Sequence, residues 1–164
     1  MNKDFAYLLV ALMVLTPSRN LLGQEKSVAE DSGNKNARLF WLTAGAGIAV
    51  GAGLNGVAEA TYSWNSSTLG LKYSIIEFLT DGPVVNQFGI NYGSLSLAPS
   101  MMTRLAGGIC VLSDGERIRP GIEGEAEAML KGGPIGLSLM ASILLTSKYS
   151  YIGLTLNVSI GKFN

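Results

Sequence analysis

The sequence of 164 residues contains no histidine and only one cysteine. The missing histidine excludes Ser/His/Asp and Cys/His catalysis, histidine metal ligation and histidine-based acid–base chemistry. The single cysteine, Cys110, has no partner for an internal disulfide or for a cysteine-based metal site. We interpret it as a small packed residue on a strand. The residue pattern therefore implies no cofactor and no enzyme of these classes.

Charged residues are also scarce. They make up 15% of the chain, against roughly 25% in an average soluble domain, so little charge is present to cover a water-facing exterior. Lys and Arg number 12, as do Asp and Glu, and without a basic excess no nucleic-acid binding is predicted. The 21 glycines, many within apolar segments, disfavour helices. The composition favours a single, partly lipid-facing domain.

A two-residue rhythm is the strongest positive signal. Along the segment that begins at Tyr151, the odd positions are mostly small or polar, and the even positions are apolar: Ile152, Leu154, Leu156, Val158 and Ile160. Side chains of a strand alternate between its two faces, so the segment predicts a strand with one apolar and one polar face.

The same phase returns in eight segments between Ala37 and Phe163. Turn signals separate them, among them the glycines from Gly51 to Gly56 and the stretches Thr80-Asp81-Gly82-Pro83 and Lys131-Gly132-Gly133-Pro134. Strands of about 9 to 11 residues, even in number and joined by short links, are what a membrane barrel requires. We predict an all-β fold, an eight-stranded antiparallel up-and-down transmembrane β-barrel, over residues 37–164.

The N-terminus predicts export. A basic residue, an apolar stretch of about 11 residues and Thr16-Pro17-Ser18 follow one another, as in a secretory signal. We expect a signal peptide at residues 1–23, and then a flexible polar lead-in at residues 24–36, which has no periodicity.

Two other folds fit part of the pattern. Residues Leu39 to Ala58 form an uncharged run of 20, long enough for a transmembrane helix with Gly47 and Gly51 on one face. The alternation also fits an exported soluble barrel that binds an apolar ligand inside, as lipocalins do, because the period alone does not say which face is inward.

The polar face carries the charges of the predicted barrel. An isolated buried charge costs several kcal/mol, so charges in a narrow lumen have to be paired or hydrated. We expect a lumenal polar network of ion pairs that fixes strand register. The alternative is a narrow cation-selective pore lined by the spare carboxylates. The residues of the predicted network are Glu59, Lys72, Arg104, Glu123, Glu125 and Glu127.

On these strands, their alternation and their turns, the chain resembles the small eight-stranded outer-membrane barrels of Gram-negative bacteria, including the membrane domain of outer membrane protein A. The resemblance implies periplasmic export, insertion by the barrel-assembly machinery, surroundings of outer-membrane lipid and both termini on the periplasmic side. Phe40, Tyr62 and Trp64 would then form an aromatic girdle near the periplasmic interface. The chain departs from the family at its end, where the aromatic Phe163 is penultimate and falls in the polar frame.

The resemblance implies a small non-enzymatic outer-membrane protein with a structural or surface-interaction role. Barrel enzymes of similar size depend on a histidine, which this chain lacks. The segments Ser113 to Pro120 and Thr146 to Ser150 are the most surface-presentable loops, and the sequence names no partner for them.

Overall fold

The computed structural model describes residues 38–78 and 82–163. The predicted signal peptide and polar lead-in lie outside these residues. Eight strands of 12 to 15 residues follow one another. Their bounds are β1 Arg38–Val50, β2 Gly53–Trp64, β3 Ser67–Phe78, β4 Val84–Leu97, β5 Met101–Ser113, β6 Ile118–Gly132, β7 Ile135–Thr146 and β8 Ser150–Lys162.

The strands form one closed sheet. Each pairs antiparallel with its neighbours in sequence, and β1 also pairs antiparallel with β8, with Ala44 opposite Val158. This closure leaves no free edge among the eight strands. The predicted all-β, eight-stranded antiparallel up-and-down barrel is confirmed. The alternative helix from Leu39 to Ala58 is wrong, because those residues form β1 and the first half of β2. Within the described ranges, no helix has the length and apolar character needed to cross a bilayer.

The turns are tighter than the sequence predicts at one place. The glycines from Gly51 to Gly56 were expected to make the first turn, but the turn consists of Gly51 and Ala52, and β2 already begins at Gly53. Gly51 has a φ of 90°, which glycine adopts without steric cost, and this allows so short a turn. At the opposite end, Asn65 joins β2 to β3 with a φ of 55°, a conformation that asparagine tolerates.

The outward face of the barrel is apolar. It exposes 28 large hydrophobic side chains, among them Leu71, Ile90, Ile109 and Leu156. On the outward positions of the eight strands, charged residues stand only near strand ends: Arg38, Glu77 and Lys162. An uncharged apolar belt therefore surrounds the middle of the barrel.

The interior has three layers. One apolar layer lies near the end that carries both ends of the barrel chain, and a second lies near the other end. Buried polar and charged side chains fill the space between them. This is the reverse of a lipocalin-like barrel, whose apolar face is inward. The two apolar layers consist of Leu39, Trp41, Leu95, Met102, Met129 and Phe163, and of Ala49, Ile76, Val85, Cys110, Leu112, Leu144, Tyr149 and Tyr151.

We name the two ends of the barrel by their residues. The terminal rim comprises Arg38, Lys162, Lys131 and the turns at residues 65–66, 98–100 and 133–134. The loop rim comprises Glu77, Arg119 and the turns at residues 51–52, 114–117 and 147–149.

Candidate functional site: a buried ion-pair network

Arg104 is the centre of the polar layer. Its guanidinium forms a fork on Glu59, with Nη1 donating to Oε1 at 2.6 Å and Nη2 donating to Oε2 at 2.7 Å. Nη2 also donates to Glu125 Oε2 at 2.8 Å, and Nε lies 3.4 Å from Glu127 Oε2. All of these side chains are almost completely buried. A bidentate Arg–carboxylate pair fixes geometry as well as charge, so Arg104 ties β5 to β2 and β6.

Lys72 forms the second half of the network. Its Nζ donates to Glu123 Oε2 at 2.7 Å and to Glu125 Oε1 at 2.5 Å. Glu125 thus accepts from both cations and joins the two halves. Lys72 is also the register partner of Glu59 across β2 and β3, and Arg104 is that of Glu127 across β5 and β6. The strand register therefore aligns the charges before any side chain adjusts.

Neutral polar side chains extend the network to three further strands, β4, β7 and β8. Gln87 Nε2 donates to Glu123, and the Tyr151 hydroxyl donates to Gln87 Oε1 at 3.2 Å. On the other side, the Ser138 hydroxyl donates to Glu127 Oε1 at 2.7 Å, and Asn157 Nδ2 donates to Ser138 Oγ at 3.4 Å. Side chains from seven of the eight strands are therefore linked through the lumen.

Two inward-facing glycines make room for the carboxylates. A β-carbon at Gly70 would overlap the Glu59 carboxylate, and one at Gly89 would overlap the Glu123 carboxylate. Neither glycine has a positive φ, so space is the reason for a residue without a side chain at both positions. Glycine in a strand interior often marks such a close approach.

The network contains four carboxylates and two cations, all within the barrel interior. Removing one partner of a buried pair typically costs about 3–5 kcal/mol, because a charge is left uncompensated. The structure thus brings all six predicted residues into one network. In the part of the chain that the structure describes, no group of His, Cys, Asp and Glu is arranged to hold a metal ion.

A smaller polar cluster lies on the loop rim and joins two loops. The Tyr149 hydroxyl donates to Asp114 Oδ2 at 3.0 Å, and the Arg117 backbone N–H donates to Asp114 Oδ1 at 2.9 Å. The Arg117 hydrogen bond, with that from Tyr149, lowers the pKa of Asp114 from its ordinary 3.8 to about 2. The Tyr149 ring packs on Phe78, 5.2 Å between centroids, and Lys148 Nζ lies 4.9 Å from the ring centroid. The cluster therefore fastens the β5–β6 and β7–β8 loops over this end of the lumen.

The three predicted girdle aromatics lie together on the outward side next to the terminal rim. Phe40 and Tyr62 are register partners across β1 and β2. The Tyr62 and Trp64 rings stack at 5.8 Å, and Trp64 also contacts Tyr92 at 6.2 Å. Their position relative to a periplasmic interface stays a prediction. Phe163, by contrast, points inward and packs on Trp41, with ring centroids 6.3 Å apart, as its place in the polar frame predicts.

Some members of the interior were not singled out by the sequence. Gln87, Ser138 and Tyr151 lie in the inward frame, so their phase was a usable signal for their place in the network. The apolar layers that close the lumen were missed as well. Their residues share the inward phase of the charges but not their polarity, and only their position near strand ends distinguishes them.

Comparisons with known proteins bear on the fold. No protein-family model and no curated protein matches this sequence. Among solved structures, the N-terminal β-barrel domain of OprF from Pseudomonas aeruginosa is similar, with a TM-score of 0.63 at 11% identity, over 75% of this chain and 96% of that chain. Neisserial surface protein A (NspA) gives a TM-score of 0.48 at 12% identity, over 75% of this chain and 96% of that chain.

The designed protein TMB2.3 also gives 0.48, at 15% identity, over 76% of this chain and 93% of that chain. The OprF domain exceeds a TM-score of 0.5, and at 11% identity it shows the fold alone. With the closed eight-stranded sheet described above, this likeness shows that the described residues have the fold of a small eight-stranded β-barrel such as the OprF domain.

Proposed function

We propose that this protein is a small, non-enzymatic outer-membrane barrel, closed to solutes, that acts as a membrane scaffold and presents short loops at the surface. The observation that carries the proposal is the distribution of charge over the two faces of the strands. The interior holds six charged side chains in one buried network, whereas the middle of the outward face holds none. A water-soluble barrel would have the opposite arrangement, because exposed strand faces in water are polar.

The apolar belt fits lipid as its surroundings. Strands of 12 to 15 residues exceed the roughly 9 to 11 that a tilted transmembrane strand needs. Arg38, Glu77 and Lys162 stand near the strand ends, where long charged side chains reach headgroups and water. By analogy with outer-membrane barrels, the terminal rim faces the periplasm, the barrel-assembly machinery inserts the chain, and the loop rim faces outward to a partner not yet known.

The lumen is filled, which favours a scaffold over a channel. The polar layer is held by Arg104 and Lys72, and Trp41, Met129 and Phe163 pack across the lumen on one side of it. An eight-stranded barrel has an interior just wide enough for such side chains. A solute would have to displace both apolar layers and the ion pairs to cross.

Membrane fractionation tests the proposal. The full signal-bearing chain is expressed in a Gram-negative host, and outer membrane, inner membrane and periplasm are compared on gels of boiled and unboiled samples. We expect recovery in the outer membrane and faster migration of the unboiled, folded barrel. Soluble recovery in the periplasm, with no boiling-dependent shift, would contradict the proposal.

A narrow cation-selective pore is the second candidate, favoured by the excess of carboxylates over cations in the lumen. Single-channel recording of the purified barrel in planar bilayers separates the two. The proposed closed scaffold predicts no steady conductance. A cation-selective conductance that changes its selectivity in the Glu125→Gln variant would favour the pore instead.

A further inference from the structure

The two rims of the barrel differ in charge. Among the described residues, the loop rim carries three anions, Glu77, Asp114 and Glu116, and three cations, Arg117, Arg119 and Lys148. The terminal rim carries Arg38, Lys131 and Lys162 and no Asp or Glu within residues 38–78 and 82–163. The described residues therefore give the terminal rim a net positive charge and the loop rim no net charge.

Two of these cations project outward at the edge of the apolar belt. Lys162 lies opposite Phe40 across β8 and β1, and Arg38 lies two positions further along β1 on the same face. Both are exposed, and within the described residues neither takes part in an ion pair. Two strand positions span roughly 7 Å, so both charged groups can reach one headgroup.

Aromatic side chains complete this edge. Trp64 is the register partner of Arg38, and Tyr62 is that of Phe40. Tyr and Trp are enriched where the hydrocarbon of a bilayer meets its headgroups. Arg and Lys at that depth face the phosphates of the lipid, which guanidinium and ammonium groups bind by charge-assisted hydrogen bonds. The charge of the edge is complementary to an anionic lipid and gives no advantage to a zwitterionic one.

We propose that the terminal rim is a binding site for anionic phospholipid, with Arg38 and Lys162 on the headgroup phosphate and the Phe40–Trp64 edge against the upper acyl chains. The site rests on the proposed membrane location. It gives the barrel a preferred lipid at one rim only, since the cations and anions that the structure describes at the other rim balance.

The test uses Trp64 as the reporter. The folded protein is placed in phosphatidylcholine nanodiscs that contain one lipid brominated on the upper acyl chain, either brominated phosphatidylglycerol or brominated phosphatidylcholine. Quenching of tryptophan fluorescence is compared at equal mole fractions of the two brominated lipids. The second tryptophan, Trp41, is buried inside the barrel and shielded from lipid. Each cation near the surface strengthens attraction to anionic lipid about fivefold, so two give a preference of roughly 25-fold.

Matched variants test which rim causes the preference for anionic lipid. Arg38→Gln with Lys162→Gln is expected to bring the two lipids to equal quenching, whereas Arg117→Gln with Lys148→Gln on the loop rim is expected to retain the preference. Raising the salt concentration in the wild type is expected to weaken it, since salt screens exposed charges.

Two results would overturn the site: equal quenching by both lipids in the wild type, or equal loss in both double variants. Either would be read on barrels that migrate as folded in unboiled gels. Failure to fold into phosphatidylcholine nanodiscs at all would instead refute the membrane location itself.

Discussion

The inward and outward faces of the same strands follow opposite rules. On β6, Glu123, Glu125 and Glu127 are buried, and the alternating Ala126 and Ala128 are exposed. A soluble protein would bury the alanines and expose the glutamates. The middle of the outward face thus exposes apolar side chains and no charge, whereas the middle of the inward face holds charges that have fixed partners. Substitutions that leave an inward charge without its partner, or that place a charge in the middle of the outward face, should destabilise the barrel most.

The largest effect is expected from truncating the centre of the network. Arg104→Ala leaves the carboxylates of Glu59, Glu125 and Glu127 without their shared cation. The free energy of unfolding should fall by about 3–5 kcal/mol, as for other broken buried pairs. Urea unfolding in lipid vesicles, followed by the boiling-dependent gel shift, measures it.

The control for this change is Arg117→Ala on the exposed loop, which should alter stability by less than about 0.5 kcal/mol. A similar loss in both variants would contradict a special role for the network. So would an unchanged barrel when Arg104 is removed.

The second-largest loss of stability is expected from a charge in the middle of the outward belt. Leu156 lies opposite Ala46 and Leu139, midway along its strand, and is 60% exposed. Leu156→Lys should cost about 2–4 kcal/mol in a bilayer, as Lys does on the lipid face at the midplane, and Ile160→Lys nearer the rim should cost about 0–1 kcal/mol. Vesicle unfolding of the two variants checks the difference, and equal costs would argue against a lipid-facing belt.

A smaller effect is expected from adding a single methyl group to the inward or to the outward face of the barrel wall. Gly70→Ala places a β-carbon against the Glu59 carboxylate, whereas Gly56→Ala on the outward face meets open space. Gly70→Ala should destabilise the barrel by about 1–3 kcal/mol, as overpacking does. Gly56→Ala should be neutral or slightly stabilising, since alanine limits the unfolded chain more than glycine. The same unfolding assay compares them, and a more harmful Gly56→Ala would reverse the assignment of faces.

The smallest effect concerns the Asp114 cluster on the loop rim. The pKa of Asp114 is lowered to about 2, so its carboxylate stabilises the folded state above the unfolded value near 3.8, and this stabilisation disappears as the pH falls to 2. Asp114→Asn should therefore lower the melting temperature at pH 6, and the difference from wild type should shrink below pH 4. Other carboxylates titrate in both the wild type and the variant, so their contributions cancel in the difference between the two melting temperatures. A difference that stays constant from pH 6 to pH 2 would contradict this account.

The sequence predicted the strands and their faces well, because period-two alternation with constant phase is a local property. From it, Leu154 and Leu156 could be assigned directly to the apolar face and Glu125 to the polar face. The fork between Arg104 and Glu59 could not, since these residues are not on neighbouring strands. Which side chains meet across a lumen depends on strand tilt and stagger, which no local pattern contains.

The apolar layers escaped prediction for a related reason. Trp41, Met129 and Phe163 lie in the inward frame but do not carry the polar character expected of it. They close the lumen because of their positions along the barrel axis, and these positions follow from the closure of the sheet. The first turn was misjudged because Gly53 and Gly56 resemble turn residues but lie within β2.

Contact between side-chain methyl groups and lipid tests the central claim most directly. Nuclear Overhauser effects from acyl chains are measured on the methyl-labelled barrel in nanodiscs. The outward Leu71, Leu139 and Leu156 are predicted to receive them, and Met129 and Met140, buried in the interior, are predicted to receive none. Acyl-chain contacts at the two methionines, or their absence at the three leucines, would contradict an inside-out barrel with a closed lumen.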